Sequence, residues 1–183
     1  MKVNLIKENS ILMVIDIQER LAPVIDRRDS IVKNTKILLE TAKELDLPVI
    51  ITEQYPQGLG ETIDELTKGS LEYRESTFSK ISFSAYTEEV KKKLRSLNRH
   101  TIIIAGMETH ICVFQTARDL IQAGYEVFIV SDAVGSRTRE NYLNGLDLLK
   151  LAGSTITNTE TVVFDFLKVA GTSEFKKLSQ LIK

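Results

Sequence analysis

The chain is poor in the residues that staple or decorate small proteins. Cys112 is the only cysteine among 183 residues, so no internal disulfide can form and nothing points to an oxidising compartment. Two histidines, His100 and His110, are too few for a His-based zinc centre. Tryptophan is absent, and three prolines and nine glycines leave no room for a low-complexity or collagen-like architecture. An excess of one charge is also lacking. Against 25 acidic residues stand 24 basic ones, so no global field draws the chain toward nucleic acid or an anionic membrane. The run Lys91–Lys93 reads as a solvated helix face. No apolar run reaches membrane-spanning length, and MKVNLIKENS lacks the apolar stretch of a secretory signal. A soluble cytoplasmic protein is the expectation that remains.

What is present is alternation. ILMVIDI (11–17) is a continuous apolar run rich in branched residues, as in a strand buried on both faces. Residues 29–46 repeat apolar side chains at helical spacing through Ile31, Leu38, Ala42 and Leu45, and Pro48 stops that helix. PVIIT is a second buried strand. The region of Gly58, Gly60 and Gly69 reads as loop with a short helix near 61–67, and LEYRES as a strand or an extended edge segment. A helix over 85–97, a strand TIIIAG (101–106), a helix over 111–124 closed by Gly124, and a strand YEVFIVSD follow. A helix near 139–151, STITN and one or two last helical segments complete the chain. The order predicts a single α/β domain over 1–183: three layers, α/β/α, with a mainly parallel open sheet covered by helices on both faces.

Ligands of such sheets sit beyond the carboxyl ends of the strands. Those ends carry Asp16 and Gln18, then Thr52 to Tyr55, then Gly106 to His110, then Ser131-Asp132. Cys112 falls at the start of a predicted helix, where free N–H groups and the helix dipole favour a thiolate and could bind an oxyanion. A small buried hydrophobe is the competing reading. Asp16, embedded in ILMVIDIQ, needs a partner or serves as a proton acceptor; its competing role is to cap a neighbouring loop. Lys80, between Ser79 and Ile81 in STFSKISFSAY, is either a site ammonium or a surface lysine lying over Phe78 and Phe83. His100 precedes its strand and so lies at the wrong end of the sheet. His110 is a candidate substrate contact or a plain loop side chain.

ILMVIDIQ, then TFSKISFSAY, then AGMETHICVFQTARDL and GYEVFIVSDAVGSR resemble the isochorismatase-like cysteine hydrolases, and most of all the isochorismatase-domain-containing proteins. TEQYPQGLG is similar to that subgroup too. The resemblance runs from about residue 10 to 165 and implies a Rossmann-like fold. It also implies a catalytic triad of Asp16, Lys80 and Cys112, a cis peptide joining Met107 to Glu108, and an oxyanion hole from the backbone N–H groups of Glu108 and Cys112. The implied activity is hydrolysis of an amide-type C–N bond in a small-molecule substrate.

Relatives that are nicotinamidases bind a metal through histidines after the second strand. TEQYPQGLGET has none, so neither a metal nor a cofactor is expected. Gln18, Tyr55, Phe83 and His110 are the candidate substrate-binding residues, Gln18 because it follows Asp16 by two on one strand face. Asp132 and Arg137 are expected to pair near the rim, and Arg20, Arg74 and Arg137 are candidates for a substrate's carboxylates. Two rival readings stay open: vinyl-ether hydrolysis without a covalent thiol, and a non-catalytic binding protein with a retained pocket. A homo-oligomer is expected from the family and from the open sheet edges; no nucleic-acid or membrane partner is.

Overall fold

The structure, a computed structural model, describes residues 3–68, 73 and 75–182. Six strands form one sheet in the order β3-β2-β1-β4-β5-β6. They are β1 (Ser10–Ile15), β2 (Val49–Gln54), β3 (Thr77–Lys80), β4 (Thr101–Met107), β5 (Glu126–Gly135) and β6 (Thr155–Thr157). Every pairing is parallel. The longer helices are α1 (Arg28–Glu44), α2 (Glu88–Leu97), α3 (Phe114–Gln122), α4 (Arg139–Leu151), α5 (Thr159–Leu167) and α6 (Ser173–Ile182).

Strand periodicity explains the layers. In β1, Leu12 and Val14 face one way and join α1 and α5 in a core that includes Ile31, Leu38, Val162 and Phe166. Ile11, Met13 and Ile15 face the other way and meet α2, α3 and α4 through Val90, Leu94, Ala117, Leu120, Leu146 and Leu149. β4 repeats the division, Ile103 and Ala105 on one side and Ile102 and Ile104 on the other. Each such side chain contributes roughly 1.5–3 kcal/mol on burial, and a one-residue slip would exchange the two faces wholesale. The register is therefore strongly specified. α6 packs through Leu178 onto Ile37, Val163 and Leu167.

Helix starts follow local chemistry. Thr87, Thr138 and Asn158 accept from the N–H groups of Val90, Asn141 and Thr161 and cap α2, α4 and α5. In the stretch read from sequence as loop with a short helix near 61–67, two single helical turns form: Asp64–Thr67, within that expected helix, and Pro56–Leu59, which the sequence does not predict. Lys80 ends the short edge strand β3. Of LEYRES, residues 71, 72 and 74 lie outside the described residues, as does Gly69. β5 runs on to Gly135, so Asp132 sits within a strand rather than at its end.

The chain leaves β1 outward in both directions, first to β2 and β3, later to β4, β5 and β6. The order reverses between β1 and β4, where an open parallel sheet leaves a crevice at its carboxyl edge. Gly106 lets these strands approach: at φ +135 it pairs with Ile15, and a Cβ there would collide with the Ile15 backbone.

Candidate active site

The carboxyl edge brings four strands together by register. Ile15 pairs with Thr52 and with Gly106, and Gln54 pairs with Lys80. Asp16 follows β1 at once, but with φ +54. Strict alternation would send its side chain toward Leu12 and Val14; the left-handed backbone at this non-glycine residue takes it out of that pattern. Asp16 N donates to Thr52 O at 3.0 Å, and Thr52 Oγ1 donates to Asp16 Oδ1 at 2.8 Å. The second carboxylate oxygen, Oδ2, accepts from Lys80 Nζ at 2.7 Å. This ion pair is closed to solvent, the two side chains being 1% and 0% exposed.

Lys80 Nζ is encircled. Besides Asp16 it donates to Gln54 Oε1 at 2.8 Å, Phe83 O at 3.0 Å and Ser82 O at 3.2 Å. The segment after β3 thus folds over its own ammonium. Such saturation offsets the desolvation of a buried charge, which is otherwise severe.

Cys112 reaches this pair from β4. A π-helical turn, Thr109–Val113, precedes α3 and carries the cysteine, so Cys112 does not lie in the first turn of an α-helix as its spacing suggests. The N–H groups of Ile111 and Val113 both donate to Glu108 O, at 3.0 and 3.2 Å. The preceding peptide, Met107–Glu108, is cis. α4 presses closely on this turn: a Cβ on Gly145 would lie 2.8 Å from His110 N. The charges of Asp16 and Lys80 both bear on the buried thiol. Burial and the Asp16 carboxylate push it up to about 12, with Lys80 opposing. Burial and the neighbouring anion thus oppose the thiolate that a helix start favours, and the Lys80 ammonium supports it.

The remaining candidates divide. Gln18 is not on a strand face, since β1 ends at Ile15; its fully buried side chain bonds backbone instead of lining a pocket. Its Nε2 donates to Gln54 O at 3.0 Å and Gly60 O at 2.6 Å, and its Oε1 accepts from Gln54 N at 2.8 Å. Tyr55 and Phe83, 52% and 53% exposed, stand on the segments leaving β2 and β3. His110 Nδ1 lies 3.0 Å from Ser136 Oγ, and burial lowers the pKa of its ring. Arg137 pairs with Glu108 rather than Asp132: Glu108 Oε2 accepts from Arg137 N at 2.9 Å and Nε at 3.2 Å. Asp132 Oδ1 instead accepts from Thr159 N and Oγ1 at the start of α5. Arg20 donates to Gly58 O at the surface, and Arg74 lies outside the described residues. Thr52 and Gln54 stand at the carboxyl edge where the sequence places them, but it assigns them no role. A threonine in VIITEQ looks like ordinary strand filling, and only the register beside Ile15 and Lys80 gives both their partners.

Among the described residues no group of three or more His, Cys, Asp or Glu is arranged to hold a metal ion, and no helix is long and apolar enough to cross a membrane.

Known proteins resemble the chain along nearly its whole length. The sequence profile of the family described as "Isochorismatase domain" matches residues 10–161. The "Secreted isochorismatase effector Isc1" of Phytophthora sojae (strain P6497) is 36% identical over 182 residues, covering 98% of this chain and 87% of that protein. "Isochorismatase domain-containing protein 2" of Xenopus laevis is 36% identical over 177 residues, covering 96% and 84%. A solved structure described as MAR1 ribonuclease from Caenorhabditis elegans matches with a TM-score of 0.90 at 32% identity, covering 98% of this chain and 92% of that one. A profile that begins with β1 and ends within α5, and relatives this similar over almost every residue, lead to one conclusion: the chain belongs to the isochorismatase family of hydrolases.

Proposed function

We propose that this protein is a metal-independent cysteine hydrolase that cleaves an amide-type C–N bond in a small molecule. The observation that supports this reading is the meeting of Asp16, Lys80 and Cys112, from the ends of β1, β3 and β4, around one thiol.

The Cys112 thiol gives its proton to Asp16 as the sulfur attacks the substrate carbonyl carbon. A C–S bond forms and the carbonyl oxygen takes up the electron pair; the backbone N–H groups of Glu108 and Cys112 are its stabilising donors. The C–N bond then breaks, and Asp16 returns the proton to the departing nitrogen. Water attacks the thioester, giving a proton to Asp16. The C–S bond breaks, and that proton returns to sulfur as the acid product leaves. Lys80 holds the Asp16 side chain in place and balances its charge before the proton arrives.

A panel of amides, ureas and imides, followed by released ammonia or amine, tests the reading. Cys112→Ala is expected to lose activity by about 10³-fold or more, as removal of a nucleophile does. Asp16→Asn should lose a comparable amount. A Cys112→Ala protein that keeps its rate, on a vinyl ether for example, would replace this mechanism with one that needs no covalent sulfur.

A further inference from the structure

Gln18 uses its whole side-chain amide on backbone. With Oε1 on Gln54 N and Nε2 on Gln54 O, it grips one residue's peptide groups from both sides, while the second N–H ties in Gly60 O. Such a paired contact resembles a rung of sheet, and it falls where β2 ends, so it fixes the backbone of Gln54 beyond the last pairing of β2 with β1, Ile15 with Thr52. The Gln54 side chain then bridges to the next strand end. Its Oε1 accepts from Lys80 Nζ at 2.8 Å and its Nε2 donates to Ile81 O at 2.7 Å. Tyr55 N adds a bond to Lys80 O at 2.8 Å. One amide thus holds another, and the second holds the ammonium.

We propose that Gln18 is a positioning residue of this site, setting through Gln54 where the Lys80 ammonium stands relative to Asp16 and Cys112. This rests on the reading of Cys112, Asp16 and Lys80 as the reacting group. None of the hydrogen bonds of the Gln18 side chain goes to these three; it acts by way of Gln54. Burial supports the assignment. Gln18 is 0% exposed, and its donors and acceptor meet backbone groups that would otherwise lie unpaired beside the site. A hydrophobic residue of similar length would fill the space and lose the grip.

The test needs no substrate, because the chain has one thiol and its alkylation is unambiguous by mass. Iodoacetamide is reacted with the full-length protein at several pH values below the thiol's midpoint, where the rate follows the thiolate fraction. Lys80 favours the thiolate, so Lys80→Met should slow alkylation. If Gln18 positions Lys80, Gln18→Met slows it in the same direction, by about tenfold for each unit of pKa gained. Gln54→Met should match it and serves if Gln18→Met fails to fold. Gln18→Met added to Lys80→Met should then change nothing further. A Gln18→Met protein that is less stable in urea but alkylates at the wild-type rate, with Lys80→Met still slow, overturns the positioning role alone. Should Lys80→Met itself leave the rate unchanged, the three-residue reading fails, and the role of Gln18 fails with it.

Discussion

Replacing Lys80 with Met exposes how much stability depends on the buried ion pair. The substitution keeps most of the side-chain volume and removes the ammonium. The Asp16 carboxylate, 0% exposed, then keeps only its bond from Thr52 Oγ1. Gln54 Oε1, Ser82 O and Phe83 O each lose a donor as well. Breaking a buried pair from one side costs about 3–5 kcal/mol, since the remaining charge has nowhere to go. For a chain of this length each kcal/mol lowers Tm by roughly 2–4 °C, so a fall of about 6–20 °C is expected. Removing both charges should do far less damage than the sum of the single changes. Asp16→Asn with Lys80→Met leaves two neutral groups, and the cycle is expected to give a coupling of about 2 kcal/mol or more. Urea unfolding of the four proteins at pH 7, with m-values compared, measures it. A Lys80→Met protein within about 1 kcal/mol of wild type, at unchanged m, would mean that the pair behaves like a surface one, and the argument from burial would be refuted.

Other expectations are narrower. The folded thiol holds its proton to higher pH than the unfolded one, whose ordinary value is 9.0 against about 12 in the fold. The native state therefore binds more protons in that window, and stability should fall as pH rises from 9 toward 12, by up to about 1.4 kcal/mol per unit. Cys112→Ser, titrated beside wild type by urea unfolding, should lack this fall; equal pH profiles would show that the thiol is not perturbed. Thr52→Val deprives Asp16 Oδ1 of its donor and should cost about 1–3 kcal/mol in the same assay; a neutral result would mean that this bond adds nothing. Gly145→Ala forces α4 away from the cysteine-bearing turn and should cost about 1–3 kcal/mol, with a change in Cys112 alkylation that a remote helix substitution would not produce. Arg137→Ala, by contrast, keeps the backbone N–H that serves Glu108 and removes a side chain that is 56% exposed. Its effect on stability should stay below about 1 kcal/mol.

Which features the sequence predicts, and which it hides, follows from how local their causes are. ILMVI, PVIIT, TIIIA and EVFIV are strands because runs of branched apolar residues bury both faces of a parallel sheet, and that is written within each run. β3 is hidden by its four residues, TFSK, three of them polar, at the sheet edge. Lys80 stands out as an oddly placed lysine, yet its strand does not. Asp16 is recognisable as an acid in an apolar run, whereas its positive φ has no glycine to announce it. The same kink undoes the inference that Gln18 shares its face. Cys112 is conspicuous as the only sulfur, but its ionisation depends on an acid and a lysine 96 and 32 positions earlier in the chain. Spacing near residue 112 reports only the helix, and not the burial and the Asp16 carboxylate that push the thiol up. Arg137 is paired with Glu108 because β5 continues past Asp132 to Gly135, a strand length that SDAVGSR does not declare.

A sulfur whose ionisation is opposed by burial and by a neighbouring carboxylate is also a poorer target for peroxide, which oxidises the anion. Walls that hinder ionisation therefore shield the group from stray oxidants. The protection has a counterpart. With no second cysteine in the chain, a sulfenic acid formed here finds no neighbouring sulfur to close a disulfide, so repair has to come from an external thiol small enough to enter.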